Sequence, residues 1–348
     1  LSTFLITGAA GYLAGRIIEF LSGWECCGRL VGIDARPEPP SFPSDSYYQV
    51  DIRSPETTRI LLEESPDVVI HLAYAVDPLH DTSEEQSVNI GGLRRVLAGV
   101  EAAGCRQFLV ASSTTAYGAY PGIPTFQDED CPVRIHPRLP YARDKVLTEL
   151  MCRRFQASNP GVKVTVIRPA IVVGPNWSNL WAVIFFALPV IPRAAGHDTM
   201  FQFIHEDDLV QLWRLCIEQE AAGTFNAAAD GALTLQEIAE MVGKPTFPFH
   251  RSLMEASMWL MHRSRLLPVG TPPALVDFFC YPWVVSNRKA RGVLGFTPAY
   301  DSREAFAGSA RMQAHLLENL ARKDSGRYRL YNAFLEAAIA RAGRNGNP

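Results

Sequence analysis

The first fifteen residues constrain the fold more than any other stretch. Thr3-Phe4-Leu5-Ile6 is a short apolar run that stops at Thr7-Gly8, which is how a strand buried on both faces reads. Gly8-Ala9-Ala10-Gly11-Tyr12-Leu13-Ala14-Gly15 follows, then a helical run over residues 16–21. Strand, glycine turn and helix in that order are the context a dinucleotide fingerprint requires. Gly8 permits the tight turn, and Gly11 lets backbone approach a pyrophosphate. Ala14 stands at the third glycine position and still allows close packing. The pyrophosphate would rest on the helix N-terminus, where backbone N–H groups lack partners.

The pattern then repeats. Leu30-Val31-Gly32-Ile33 reads as a second strand and ends on Asp34. An acidic residue about twenty positions beyond the glycines bonds the adenosine ribose hydroxyls and repels a 2′-phosphate, which argues for NAD over NADP. Arg36, two residues on, argues the other way, because its guanidinium suits a 2′-phosphate. Tyr48-Gln49-Val50 leads to Asp51-Ile52, a strand end near where an adenine would lie. Further strands read over 67–73, 107–111 and 163–169, with a helix over 88–102. Strands alternating with helices give an α/β fold with a doubly wound parallel (Rossmann) sheet and right-handed crossovers. His71 reads as a core or sheet-edge histidine rather than a catalyst.

Tyr141-Ala142-Arg143-Asp144-Lys145 carries the chemistry. Tyrosine and lysine four apart on a helix share a face. An ammonium near a phenol favours the phenolate, so such a tyrosine exchanges a proton near neutral pH. Ser112-Ser113-Thr114-Thr115 precedes the pair at the end of the 107–111 strand, and ligands of open α/β sheets bind off that end. Together the glycine turn, the serine cluster and the Tyr-Lys pair fit a nicotinamide-dependent enzyme with a Ser-Tyr-Lys centre.

After Gly174-Pro175 the pattern loosens. Residues 1–175 read as the dinucleotide-binding domain, with 198–230 returning to it. Residues 176–197 and 231–300 read as a smaller, mostly helical C-terminal substrate lobe, with proline-rich connections near Lys244-Pro245 and Leu267-Pro268. Residues 201–205 read as one strand, and Glu206-Asp207-Asp208 as a structural helix start suited to the macrodipole. Thr234-Leu235-Gln236-Glu237 is a capping box. Residues 301–348 read as an amphipathic helical tail broken near 324–326, with a packing or oligomer role that allows a homodimer.

Composition narrows the partners. A formal charge of −3 over 348 residues implies no nucleic-acid partner, so a small-molecule substrate is expected. The longest apolar run, residues 181–191, is too short to span a bilayer and contains Pro189. The first strand begins almost at Leu1, so no secretion signal is expected. The seven cysteines show no metal-ligand spacing and read as reduced thiols of a cytoplasmic protein, with no metal site.

With these residues in place, the chain resembles the extended short-chain dehydrogenase/reductase family, in its NAD-dependent epimerase/dehydratase branch. Thr7-Gly8-x-x-Gly11-x-x-Ala14 is similar to that family's cofactor turn, and His71-Leu72-Ala73 to a strand end beside it. Ser112-Ser113-x-x-x-Tyr117-Gly118 and Tyr141-x-x-x-Lys145 resemble its catalytic segments. Arg168-Pro169 and Phe203-Ile204-His205-x-Asp207-Asp208 resemble two later signatures. The resemblance implies that Ser113 bonds the substrate oxygen and Tyr141 acts as its acid/base. It implies that Lys145 holds the nicotinamide ribose and depresses the tyrosine. It further implies NAD contacts from Gly8, Gly11, Tyr12, Leu13, Asp34, Asp51, Ile52, Leu72, Ala73, Asn89, Ala111, Ser112, Tyr141, Lys145 and Pro169.

Three departures bear on the reaction. The nucleotide-sugar dehydratases of the family carry an Asp-Glu pair where this chain has Thr114 and Thr115, so a 4,6-dehydratase is not expected. UDP-galactose 4-epimerase-like members carry a diphosphate-gripping Arg where this chain has Phe201. Their second phosphate contact, before Tyr281-Pro282-Trp283, also has no counterpart. Asn179-Leu180 does resemble their Asn-Leu, and Arg193 is a substitute cation, so Thr114, Asn179, Arg193 and Phe201 are the expected substrate contacts. Hydride transfer at a secondary alcohol or ketone of a nucleotide sugar is the first expectation. A dehydrogenase or ketoreductase on a lipophilic alcohol is the alternative, favoured by the aromatic richness around Trp177, Trp181, Phe185, Phe186 and Phe279. A non-catalytic dinucleotide sensor is disfavoured by the intact Ser113, Tyr141 and Lys145.

Overall fold

The computed structural model describes residues 1–43, 46–75, 82–175, 177, 179–264 and 272–312, with isolated positions 315, 317, 336 and 338. Asn176, Leu267-Pro268 and the break expected near 324–326 lie outside the described residues.

Six strands lead the parallel sheet: β1 (Ser2–Thr7), β2 (Cys27–Asp34), β3 (Ser46–Gln49), β4 (Val68–His71), β5 (Gln107–Ala111) and β6 (Lys163–Pro169). The strand Gly223–Ala227 adds to the β6 edge, giving the order Gly223–Ala227, β6, β5, β4, β1, β2, β3. Every pair is parallel. Because side chains alternate across a strand, Phe4 and Ile6 of β1 enter one core layer and Leu5 enters the other. The helices Tyr12–Ser22 and Glu206–Glu218 pack in the first layer, while Pro55–Glu64, Gly92–Ala103 and Pro140–Ser158 pack in the second.

The chain runs outward from β1 to β3, then crosses back to β4 and proceeds the other way. The crevice therefore lies off the C-terminal ends of β1 and β4, where a doubly wound sheet binds its ligand. Entry into the Gly92–Ala103 helix is wider than the sequence pattern suggests: Ser87–Gly91 forms a π-helical turn first.

Residues 201–205 are not one strand. Met200–Phe201 pairs antiparallel with Leu233–Thr234, and Phe203–His205 pairs parallel with Ile171–Val173. Gln202 separates them. Its amide donates to the carbonyls of Ala229 and Val285, and its oxygen accepts from the Val285 N–H. Those side-chain bonds occupy the position where a continuous ladder would run.

The helix starts follow local chemistry. Thr234 caps Leu235–Met241 in a full capping box, and Asp301 does the same for Ser302–Arg311. The acidic start of Glu206–Glu218 is structural: Asp208 accepts from the N–H groups of Ala299 and Tyr300 at 2.7 and 3.2 Å. An aromatic core joins Trp177, Phe185, Phe186, Phe201, Phe203, Phe278 and Phe279 with Phe306, and Leu317 and Ala338 of the tail pack into it. All seven cysteines are free thiols. Among the described residues, no helix is long and apolar enough to cross a membrane.

Candidate active site

One cleft of about 740 Å³ runs from the glycine turn, past the ends of β1, β4 and β5, to the aromatic core. Gly8 has φ +71°, and a Cβ there would sit 2.6 Å from the Ala73 nitrogen. The turn can thus approach the β4 end only without a side chain. A Cβ on Gly11 would lie 2.9 Å from the Gly8 carbonyl, which accepts from the Gly11 N–H at 2.8 Å. Gly11 caps the helix Tyr12–Ser22 with no side-chain bond, and the first turn carries no acidic residue. That leaves free N–H donors and positive dipole facing the cleft, which fits a pyrophosphate.

Asp34 ends β2 on the cleft. It accepts from the Ala10 N–H at 3.0 Å and from the Arg36 N–H, Nε and guanidinium NH2 at 2.9, 3.1 and 3.1 Å. Burial opposes its charge, but the bonds from Arg36 and Ala10 outweigh it and hold the carboxyl below its ordinary value. Asp34 is therefore an anion, and Arg36 is folded onto it. Asp51 and Ile52 line the same end.

Ser113 follows β5 and caps the short helical turn Thr114–Tyr117, its Oγ accepting from the Thr115 N–H at 3.2 Å. Tyr141 lies in the first turn of Pro140–Ser158, whose Pro140 is pre-set for a helix start. Lys145, one turn on, is buried and donates to the Ala111 carbonyl at 2.8 Å. Burial depresses its ammonium to about 7, with Glu149 and Asp144 partly offsetting that.

Most expected site residues line this cleft: Gly8, Gly11, Tyr12, Leu13, Asp34, Asp51, Ile52, Leu72, Ala73, Ala111, Ser112, Ser113, Thr114, Tyr141, Lys145, Pro169 and Asn179. Three do not. Asn89 is wholly buried behind the wall, accepting from the Ala75 N–H at 2.9 Å and donating to Asp144 at 3.2 Å. Phe201 is also wholly buried, its ring against Trp181, Phe185, Phe279 and Trp283 at 5.3–6.0 Å between centroids. It backs the wall and does not face the cleft. Arg193 lies on the strand Ile191–Ala194, paired with Thr246–Phe249, and is not among the described lining residues. His71 is a core residue: Nδ1 bonds Thr7 Oγ1 at 2.7 Å, and burial, with the Lys145 charge, pushes it down to about 3.

Sequence reasoning misses a buried network behind Ser112. Ser112 Oγ donates to Glu149 at 2.5 Å, and Arg168 reaches the same carboxylate at 2.6 and 2.9 Å. Arg168 also donates to the Tyr117 hydroxyl at 2.6 Å, and that hydroxyl bonds Asn226 at 2.9 Å. The available signal is Glu149 itself, one helical turn beyond Lys145.

The substrate end of the cleft is walled by Trp177, Leu180, Trp181, Leu275, Phe278 and Trp283. Its polar groups are Ser113, Thr114, Thr115 and Asn179. The Asn179 carbonyl is already engaged by Trp177 Nε1 and the Trp181 N–H at 2.8 and 3.0 Å. Beyond Lys145, no described residue at this end is cationic.

Comparison with known proteins gives the family and the fold. The chain is 24% identical to an uncharacterized protein of Mycobacterium tuberculosis over 311 residues, 87% of this chain and 81% of that protein. It is 26% identical over 254 residues to the GDP-6-deoxy-D-mannose reductase of Pseudomonas aeruginosa, covering 68% and 78% of the two chains. The UDP-glucose 4-epimerase of Thermus thermophilus, solved with NAD, has the same fold: TM-score 0.69 at 20% identity over 89% of this chain and 98% of that one. The description NAD dependent epimerase/dehydratase family fits residues 4–228, and the chain belongs to that family, with NAD as its cofactor.

Proposed function

We propose that the protein is an NAD-dependent dehydrogenase or ketoreductase acting on a secondary alcohol or ketone with an uncharged, largely apolar body. One observation carries the substrate class: the described residues at the substrate end are aromatic or aliphatic, with neutral Ser113, Thr114, Thr115 and Asn179 as the polar groups. A diphosphate needs a cation or a row of N–H donors, and burying it unpaired costs several kcal/mol.

Bound NAD supplies the hydride acceptor or donor. The chain's own work concerns the proton and the orientation. Ser113 Oγ holds the substrate oxygen at the end of β5. The Tyr141 phenolate takes the alcohol proton in oxidation, and the Tyr141 hydroxyl returns it in the reverse direction. The Lys145 ammonium favours the phenolate and holds the nicotinamide ribose, while Asp34 receives the adenosine ribose. The described parts of 1–175 and 198–230 make the cofactor half, and those of 176–197 and 231–300 supply the aromatic side of the substrate end.

Nucleotide-sugar epimerisation is the second reading. It is supported by the named activities of the proteins this chain resembles, and by Arg193, whose buried Nε has no hydrogen-bond partner among the described residues. Steady-state assays with NAD on apolar secondary alcohols, and separately on UDP-, dTDP- and GDP-sugars, decide between them. Turnover on an apolar alcohol with none on nucleotide sugars is expected. Turnover on a nucleotide sugar that Arg193→Ala weakens would overturn the first reading.

A further inference from the structure

We propose that Tyr74 is a positioning residue for the Tyr141–Lys145 pair, its ring face holding the Lys145 ammonium and its hydroxyl tying down the first turn of the catalytic helix. The inference rests on Tyr141 and Lys145 handling the proton, as argued above.

Tyr74 follows the end of β4 and lines the cleft. The Lys145 nitrogen sits 3.4 Å from the centre of its ring, against 5.5 Å for the Tyr141 ring. The Tyr74 hydroxyl donates to the Tyr141 backbone carbonyl at 3.3 Å, and the two rings meet edge to face at 5.6 Å. One side chain thus touches the ammonium, the catalytic ring and the backbone that carries it.

Physical necessity supports the role. A lysine taken out of water needs compensation for its charge, and the negative face of an aromatic ring supplies it. The other groups around Lys145 are committed elsewhere. On its own helix, Asp144 is held by Arg143 and Asn89, and Glu149 by Arg168 and Ser112. From β5 comes the Ala111 carbonyl, and from β4 His71, which burial keeps neutral. A Tyr141 phenolate, Asp144 and Glu85 add negative charge around Tyr74, and Arg143 opposes them. Burial first, then those charges, raise the Tyr74 phenol well above its ordinary value, so it stays a neutral donor.

The test needs no substrate. The sequence has five lysines, so ¹³Cε-lysine labelling gives a resolvable spectrum in which Lys145→Gln assigns the Lys145 signal. Its protonation is followed against pH in wild type, Tyr74→Phe, Tyr74→Leu and Tyr74→Met. Phe keeps the ring face and should leave the midpoint within about 0.3 of a pH unit. Leu and Met remove the face and should lower it by about one unit, the scale of a desolvated cation–π contact. Two apolar variants guard against one failing to fold, with circular dichroism as the check. A midpoint unchanged in Leu or Met overturns the proposal, as does a Phe variant that shifts as far as Leu. Failure of the proton-transfer reading would show separately, as Tyr141→Phe retaining turnover.

Discussion

Glu149→Gln is the sharpest test of how the site is anchored. Glu149 is buried beside Arg168, with one oxygen 2.6 Å from the guanidinium and the other receiving both Arg168 Nε and Ser112 Oγ. Gln preserves volume but presents one oxygen and an NH2, so a donor faces a donor at one Arg168 contact. Removing one partner of a buried pair leaves an uncompensated charge, a cost of about 3–5 kcal/mol. At ~1.4 kcal/mol per decade, the folded-to-unfolded ratio should drop by roughly 10²–10⁴. Urea unfolding read by tryptophan fluorescence measures this. Replacing both residues, Glu149→Met with Arg168→Met, should recover most of the loss, because no buried charge remains. Glu149 also supports the Lys145 charge, so the lysine midpoint should fall in Glu149→Gln. A loss below about 1 kcal/mol, the range of an exposed pair, together with an unmoved Lys145 signal, would refute the reasoning.

Other outcomes follow from the same geometry. Tyr141→Phe should leave NAD affinity nearly unchanged and reduce turnover by roughly 10²-fold or more, the scale of acid–base catalysis; single-turnover kinetics with separate NAD titration check it. Wild type should bind NAD more tightly than NADP, and Asp34→Ala should move the ratio toward NADP by about tenfold or more by releasing Arg36 for a 2′-phosphate; fluorescence titration of both cofactors measures it. His71 titrates at about 3 folded against 6.5 unfolded, so between those values the unfolded chain holds the extra proton. Its contribution falls as pH drops through that window, by about 1.4 kcal/mol per unit, and His71→Gln should flatten the slope of urea stability between pH 6 and 4.5.

The cofactor half is legible in the sequence because local chemistry dictates it. A glycine at positive φ, an uncapped helix start and an acidic strand end are each set by a few adjacent residues, and Gly8, Gly11 and Asp34 stand where that logic puts them. The substrate half is less legible, because its contents depend on contacts between distant segments. Alignment with a cation position puts Phe201 on the substrate. Its ring turns inward instead, since the Met200–Phe201 pairing with Leu233–Thr234 points it at Trp181 and Phe279. The resemblance puts Asn89 on the cofactor, and the π-helical turn carries it one layer deeper, to Ala75 and Asp144. Neither outcome leaves a local trace in the sequence.

The sequence also holds a graded series along one helix face. Tyr141, Lys145 and Glu149 are spaced by four, so each lies about 6 Å farther along the helix and on the same side. Tyr141 borders the cleft, Lys145 is buried beneath it, and Glu149 lies in the core against Arg168. On the proposed mechanism, the group that exchanges a proton is outermost, the charge that tunes it comes next, and the counter-charge is innermost. Arg168 is fixed in β6, and Glu149 is fixed by Arg168, so the helix cannot rotate without breaking a buried pair. Tyr74 pins the same helix at its first turn through the Tyr141 carbonyl. A helix held at its first turn and at its middle by bonds that leave the Tyr141 hydroxyl unused can hold its phenol in place while Lys145 gains or loses a proton.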